Sequence, residues 1–506
     1  MFIFNLYKAN AYKASAYKKA SASQALANNI TARFAFCCAL PFILSTQAFA
    51  SSDNVETAPL TFSKAIRIAQ QNDPWLTGNI EKQRSVESMS QASYSLPDPQ
   101  VSIGVGNLAA DSLEFEQEAM TQFKVGITQM FPRGDSLSVK SEQLKIESEQ
   151  YPLQRQDRKA KVAVTVGSLW LDAYKIEQTI VLVKKNRALF EQLVELAESN
   201  YSSAKGKTRQ QDVVQAQVEL IQLEDKLVQL SLQQSQIMGN LVQWVSDYSV
   251  EKAEAKNSTS NSSKFNIEQL TLAGDIPQLE SNQQQIVLAN SWPKQEQLAL
   301  YFVNHPSVLA LDKKIHAAKS SIKLAKQKYQ PEWGVTASYA YRDDDPMGNE
   351  RSDLLSIGVT FDLPLFTENK QDKEVQSAVS QTQVIKTDKI LLLRKMMSSF
   401  ASSKGRFMSL QQRKSLFNEK LVPQVNEQIE AALMAYTHDD GDFSDVIRAR
   451  MTMLETEIDF LAINVEEQKL LLELNYLFMN ADQHHIAFNH SNMQKPKYAR
   501  QGATND

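Results

Sequence analysis

Few of the 506 residues are spaced for chemistry. Gly104, Gly106 and Ala109 spell GxGxxA after a strand-like segment, the outline of a dinucleotide-binding turn. No amphipathic helix follows closely, and such a helix is what would present amides to a phosphate. His484, His485 and His490, with Met493 nearby, have metal-binding side chains, but they sit in a polar tail where no rigid element fixes a coordination geometry. His438, Asp439 and Asp440 form a second, weaker cation-attracting group that reads better as a solvated turn. No nucleophile with a base and an orienting partner stands out. The sequence therefore predicts no enzyme, no cofactor and no metal site.

The elements that could hold a site are long. Gly and Pro number 15 each, glycine standing at roughly half its usual ~7%, so the chain is poor in turn residues and long helices are expected. The first fifty residues carry five basic and no acidic side chains, then an apolar run from Phe34 to Ser45, then Ala48, Phe49 and Ala50. That order is a secretory signal with cleavage after Ala50. The apolar run falls short of the roughly 20 residues a membrane helix needs. Cleavage would remove both cysteines, Cys37 and Cys38, and with them any disulfide, zinc-thiolate site or cysteine nucleophile. The residues ahead of Cys37 lack the small side chains expected before a lipid-modified cysteine. The remaining charge, 49 basic against 58 acidic groups or 49 − 58 = −9, disfavours a nucleic-acid partner, whose phosphates call for clustered basic side chains.

The mature chain repeats itself. At an offset of 232 positions, Asn72, Pro74 and Pro99 fall on Asn304, Pro306 and Pro331, and Gly126 and Thr128 fall on Gly358 and Thr360. At an offset of 233, Asp212, Val213 and Ala216 fall on Asp445, Val446 and Ala449. Between the halves, Asn257 to Ser263 is entirely Ser, Thr and Asn, which cannot bury enough apolar surface to fold alone. The domain plan is a signal peptide at 1–50, a first repeat at 51–246, a linker at 247–295, a second repeat at 296–480 and a polar tail at 481–506.

Each half is expected to run as a helix of about 24 residues, two strands, a very long helix, a turn and a helix of about 38 residues. The seam Val162, Val166, Leu169, Ala173, Ile176, Ile180, Val183, then Phe190, Val194, Ala197 and Tyr201 alternates steps of four and three, broken only at Arg187. A sustained 3.5-residue period implies left-handed coiled-coil packing. The returning helix has its own seam in Val213, Ala216, Leu220, Leu223, Leu227 and Leu230. Long helices are predicted over about 135–200 and 368–436, with kinks or breaks at Pro152 and Pro423.

Four strands are predicted: Pro99 to Asn107, Thr121 to Phe131, Glu332 to Tyr341 and Leu354 to Leu363. Large apolar residues alternate with small or polar ones, as in a membrane barrel strand of about 9–11 residues. A soluble antiparallel sheet packed on one face gives the same alternation. An open sheet in lipid leaves backbone groups unpaired, and the smallest known barrels have about eight strands. If the strands face lipid, four per chain demand an oligomer.

The segments Leu96 to Asn107, Gly126 to Gly134, Gln210 to Leu220, Val422 to Tyr436 and Asp442 to Arg450, in this order and with the internal repeat, resemble the TolC family of outer-membrane efflux channels, and within it the heavy-metal-resistance branch. The resemblance implies a mainly α fold with a membrane β part: a homotrimer whose twelve strands close one barrel and whose antiparallel coiled-coil helices continue it as a periplasmic tunnel. It implies a passive exit duct in the outer membrane of a Gram-negative cell. Its partners would be a periplasmic adaptor (membrane fusion) protein and an inner-membrane pump of the RND type, and its cargo metal ions or drugs. The turns between paired helices would form the tip, where the pore narrows at Tyr436, Asp445 and Arg448 and the adaptor meets Gly206, Asp212, Gly441 and Val446. Copies of Asp445 facing each other would repel and attract cations, and an intersubunit Asp445 to Arg448 pair would latch the closed state. Asp212 and Asp445 also read as ordinary acids at helix N-termini, and Gly206 and Gly441 as left-handed turn residues. The rival reading is a soluble periplasmic coiled-coil scaffold or adaptor.

Overall fold

The chain divides into two units, Met1–Glu56 and Thr57–Asp506. In the computed structural model the described residues are 59–202, 209–246, 272, 274–289, 291–438 and 441–481, all in the second unit. The predicted signal peptide with Cys37 and Cys38, Gly206, the Asn257 to Ser263 run, Asp439, Asp440 and the tail histidines His484, His485 and His490 lie outside them.

The first half comprises α1 (Phe62–Gln71), α2 (Pro74–Ala92), β1 (Gln100–Gly106), β2 (Gln122–Phe131), α3 (Ser136–Ser148), α4 (Gln150–Ser202) and α5 (Gln210–Val245). After the short α6 (Gln284–Val287) the order recurs as α7 (Gln295–Val303), α8 (Pro306–Gln327), β3 (Trp333–Tyr341), β4 (Leu354–Phe361) and α9 (Gln371–Leu416). A π turn (Phe417–Leu421), α10 (Val422–Thr437) and α11 (Phe443–Leu477) complete the half.

Prolines set the breaks. The single opening helix expected in each half is two helices, parted at Asn72 and Asp73 before Pro74 and at Asn304 and His305 before Pro306. Proline fits the first helical position because no intrahelical bond is asked of that N–H. In the long helices proline falls within the ladder, where it lacks the donor for the carbonyl four residues back and its ring crowds that carbonyl. For Pro152 that carbonyl belongs to Ser148, the last residue of α3. For Pro423 it belongs to Glu419, inside the π turn, whose wider coil takes up the misfit.

α4 has 53 residues, about 80 Å at ~1.5 Å per residue. Its seam is buried as the heptad requires: Ile176, Val183, Phe190 and Ala197 pack with Ala216, Leu223 and Leu230 of α5 and with Phe443, Ile447 and Leu454 of α11. Arg187, the break in the seam, is paired with Glu191 and with Glu224 of α5, each at 3.0 Å. Tyr201, the last seam residue, is exposed.

A second core gathers both halves around Phe62, Trp170, Phe302, Phe400 and Phe478. The Trp170 indole donates to the Leu60 carbonyl at 2.9 Å. Gly167 lies where a Cβ would stand 2.8 Å from Leu472 Cδ1 and 3.2 Å from the Phe62 ring, so glycine lets α1, α4 and α11 close on one another. Lys404 of α9 is wholly buried here: its ammonium donates to the Ile286 and Ser291 carbonyls, both at 2.9 Å, and lies 5.2 Å from the Trp292 ring centre. Burial pushes its pKa down. The far end of the predicted linker is thereby fixed to the helices, as it is by Leu279 N and Asn282 N, which donate to Gln468 and Asn475 of α11 at 2.8 Å each.

The strands form one antiparallel sheet in the order β1-β2-β3-β4, with β2 and β3 joining the two halves. Their bounds lie within two residues of those expected. The hairpins are not in identical register. Ser102 pairs with Gly126, whereas Gly334, which corresponds to Ser102, pairs with Thr360 rather than Gly358. This slip of two residues leaves every side chain on its original face, because the side-chain period is two.

Candidate functional site

The sheet has one apolar face that is left uncovered among the described residues. Cross-strand register lines its residues into rows: Val105, Phe123 and Tyr341; Ile103, Val125, Tyr339 and Leu355; Val101, Ile127, Ala337 and Ile357; Gln129, Val335 and Val359; Phe131, Trp333 and Phe361. Aromatic residues fill the row nearest the helices, Phe123 and Tyr341 stand in the row nearest the loops with Tyr339 one row further in, and aliphatic residues with Gln129 make up the rest. A soluble sheet would bury such a face, yet Ile103 is 68% exposed and Ile357 75%. The opposite face carries Ser102, Gly126, Ser338 and Ser356 in one row and Thr128, Thr336 and Gly358 in the next, the two threonine hydroxyls 3.1 Å apart. An apolar outside bounded by aromatic belts and a small, polar inside is the cross-section of a membrane barrel wall. β2, with ten residues, is about 34 Å long and spans roughly 25 Å at a tilt near 40°. β1 and β4 are the outer strands, each bonded on one side only among the described residues.

Arg133 fixes the foot of the sheet. It follows β2 and donates to the Lys328 and Gln330 carbonyls at 3.4 and 3.1 Å, and it forms an ion pair with Asp362 beyond β4. Asp362 Oδ1 in turn accepts from Glu332 N at 2.7 Å. The bond from the Glu332 amide, and after it the Arg133 guanidinium, hold the Asp362 carboxyl below the usual carboxylate range. Sequence reasoning missed this clasp; a lone basic residue just after a strand was its only trace.

At the other end of the helices, the α4–α5 and α10–α11 turns come together. Ser444 Oγ donates to Gln215 Oε1 at 2.9 Å, and Arg209 lies 3.6 Å from Asp442. Asp212 is a buried cap: its Oδ2 accepts from Arg209 N at 2.8 Å, closing the start of α5. Tyr436 is half-buried, its ring 5.4 Å from that of Phe443. Asp445 lies in the first turn of α11 and receives a bond from Arg448 Nη1 at 3.1 Å within the same chain, one helical turn away. Val446 is 1% exposed and packs inside the chain, which leaves it no surface to offer an adaptor. Gly441 does not adopt a left-handed backbone. It is required by crowding, since a Cβ there would stand 2.8 Å from Ala435 Cβ. Gly206, the remaining tip residue, lies outside the described residues.

Between sheet and tip, two equivalent positions hold polar pivots. Asp73 caps α2, its Oδ1 accepting from Trp75 N at 3.1 Å while Arg158 Nε donates to its Oδ2 at 2.7 Å. His305 caps α8: Nδ1 accepts from Ser307 N at 3.2 Å, which leaves the ring proton on Nε2, 3.1 Å from the Tyr476 carbonyl. Tyr476 OH continues to Asp157 at 2.9 Å, and Lys161 pairs with Asp157 at 2.7 Å. Burial lowers the His305 pKa, and burial followed by Asp157 raises that of Tyr476. The residue between Asn and Pro in both repeats was the signal that could have found these pivots.

Among the described residues no helix is long and apolar enough to cross a membrane, and no group of three metal-ligating side chains occurs. Gly104 and Gly106 lie in or at the end of β1 with no helix behind them.

No family model and no curated protein sequence matches the chain. Its fold, however, is that of solved outer-membrane channels. CusC, described in terms of folding and transmembrane channel formation, superposes with a TM-score of 0.65 at 14% identity, over 83% of this chain and 92% of that one. The outer membrane protein VceC of Vibrio cholerae gives 0.60 at 14% identity, over 83% and 96%. The CmeC outer membrane channel of Campylobacter jejuni gives 0.64 at 12%, over 82% and 85%.

Proposed function

We propose that the protein is the outer-membrane channel of a tripartite efflux system, a passive duct with no catalytic activity. The observation that carries this reading is the uncovered apolar face between two open sheet edges. Lipid satisfies the face, and copies of the chain satisfy the edges, because no water is present there to bond them. Three copies, the number implied by the resemblance in sequence, give twelve strands, within the range of known barrels. The rival scaffold or adaptor reading leaves the same face in water.

Export through a signal cleaved after Ala50 delivers the chain to the periplasm, with repeats at 51–246 and 296–480 joined by the 247–295 linker and followed by the 481–506 tail. The helical tips, with Gly206, Asp212 and Gly441, point to an adaptor protein and an RND-type inner-membrane pump. The constriction is assigned to Tyr436, Asp445 and Arg448, and the cargo to metal ions or drugs. Purified protein added to a planar bilayer should conduct ions without nucleotide or an imposed gradient-driven transporter. A monomer freely dissolved without detergent, giving no conductance, would overturn the proposal.

A further inference from the structure

We propose that the segment after β4, Leu363 to Phe366, is an intersubunit plug, with Phe366 of one copy seated in a cavity at the foot of β1 of the next. The inference rests on the closed barrel above and names the side chains that lock it.

β4 runs toward the helices and β1 runs away from them, so β4 of one copy lies antiparallel to β1 of its neighbour when the sheet closes. Adjacent strands are about 4.8 Å apart, so the residues that follow β4 lie beside those that precede β1 of the next copy. There the chain has an open groove of about 660 Å3, in whose walls Leu96, Pro97, Leu137 and Leu324 stand among serines, Asp98 and Lys140. Phe366 is 89% exposed and Leu365 72%. Charges match as well. Asp98 and Lys140 border the cavity, Glu368 and Lys370 follow the plug, and none of the four has an ion pair among the described residues.

The internal repeat supplies an independent reason. Leu365 and Phe366 correspond to Arg133 and Gly134, 232 positions earlier. Arg133 reaches forward from the foot of one hairpin and clasps the foot of the next within its own chain. After β4 the next hairpin belongs to another copy, and the clasping position there is Leu365, next to Phe366, so apolar side chains beside a partly apolar groove stand where the first half has an ionic clasp.

Disulfide trapping tests this in membranes on the full chain carrying Cys37→Ala and Cys38→Ala. Phe366→Cys combined with Leu96→Cys or Leu137→Cys should shift the oxidised band from one chain to covalently joined chains. Ser356→Cys combined in turn with Ser102→Cys, Gly104→Cys or Gly106→Cys reports edge pairing by itself. If that panel links chains and the Phe366 pairs do not, the plug is wrong while the barrel stands; if neither links, both fall. A dye on Phe366→Cys quenched by brominated lipid as strongly as one on Ile357→Cys would place the ring in the bilayer and also overturn the plug.

Discussion

Asp73 and His305 occupy the same position of the repeat and cap corresponding helices, one with a charged carboxylate held by Arg158 and the other with a buried, neutral imidazole bonded to the Tyr476 carbonyl. The first half is thus tied together by an ion pair, and the second by a hydrogen bond that needs one tautomer.

That difference sets a pH dependence. Burial depresses the His305 pKa in the fold, against the opposing pull of Asp157 and the Tyr476 carbonyl and with a smaller push from Lys161. The unfolded chain takes up this proton near pH ~6.5 while the folded chain does not, so stability holds above that pH and is lost as pH falls below it. The slope from this one group is at most about 1.4 kcal/mol per pH unit. Unfolding midpoints in detergent between about pH 5 and pH 8 should show it, and His305→Asn, which can still cap α8, should flatten it.

Asp212 closes the start of α5 through the Arg209 amide. Asp212→Ala, which removes the bond from this N3 side chain to the Arg209 amide, should cost about 1 kcal/mol, the usual net worth of a hydrogen bond, and Asp212→Asn less. Thermal unfolding of the two variants side by side checks the order.

Substitutions on the two faces of one strand should have opposite outcomes. In the proposed barrel, Ile357→Arg puts a charge in the hydrocarbon, at about 2–4 kcal/mol near the midplane, and should reduce assembled protein in the outer membrane. Ser356→Arg, one residue away on the other face, should assemble and change single-channel conductance or ion selectivity.

The Asp445–Arg448 pair is exposed at both ends, 58% and 70%. Such pairs contribute about 0–1 kcal/mol, so Asp445→Ala should leave the melting temperature nearly unchanged. If the tip is the constriction, the same variant should raise bilayer conductance; equal conductance with equal stability would remove Asp445 from the gate.

The periodic features were legible in the sequence. Val183, Phe190 and Ala197 repeat at heptad spacing and are buried, and the strand residues from Trp333 to Tyr341 alternate in two-residue steps onto two faces. Pro152 and Pro423 located the helix breaks, although the sequence did not tell a cap from a π turn, because both relieve the same missing donor. Long-range polar contacts were not legible. Arg133 meets Asp362 across more than two hundred residues, and Lys404 meets carbonyls that any residue could supply. At the tip, the step of three between Asp445 and Arg448 already permitted a bond within one helix, but the resemblance drew attention to a contact between chains. Val446 fell on the inner side of α11 because its neighbours Phe443 and Ile447 share that side.

The two-position offset between the hairpins obeys a parity rule. Any even insertion or deletion in a strand of this wall moves residues along the bilayer normal without exchanging oil for water, whereas an odd one inverts the whole segment. Duplicated hairpins of this kind can therefore diverge in length only by dipeptide quanta, and the loops outside the membrane must absorb every odd remainder.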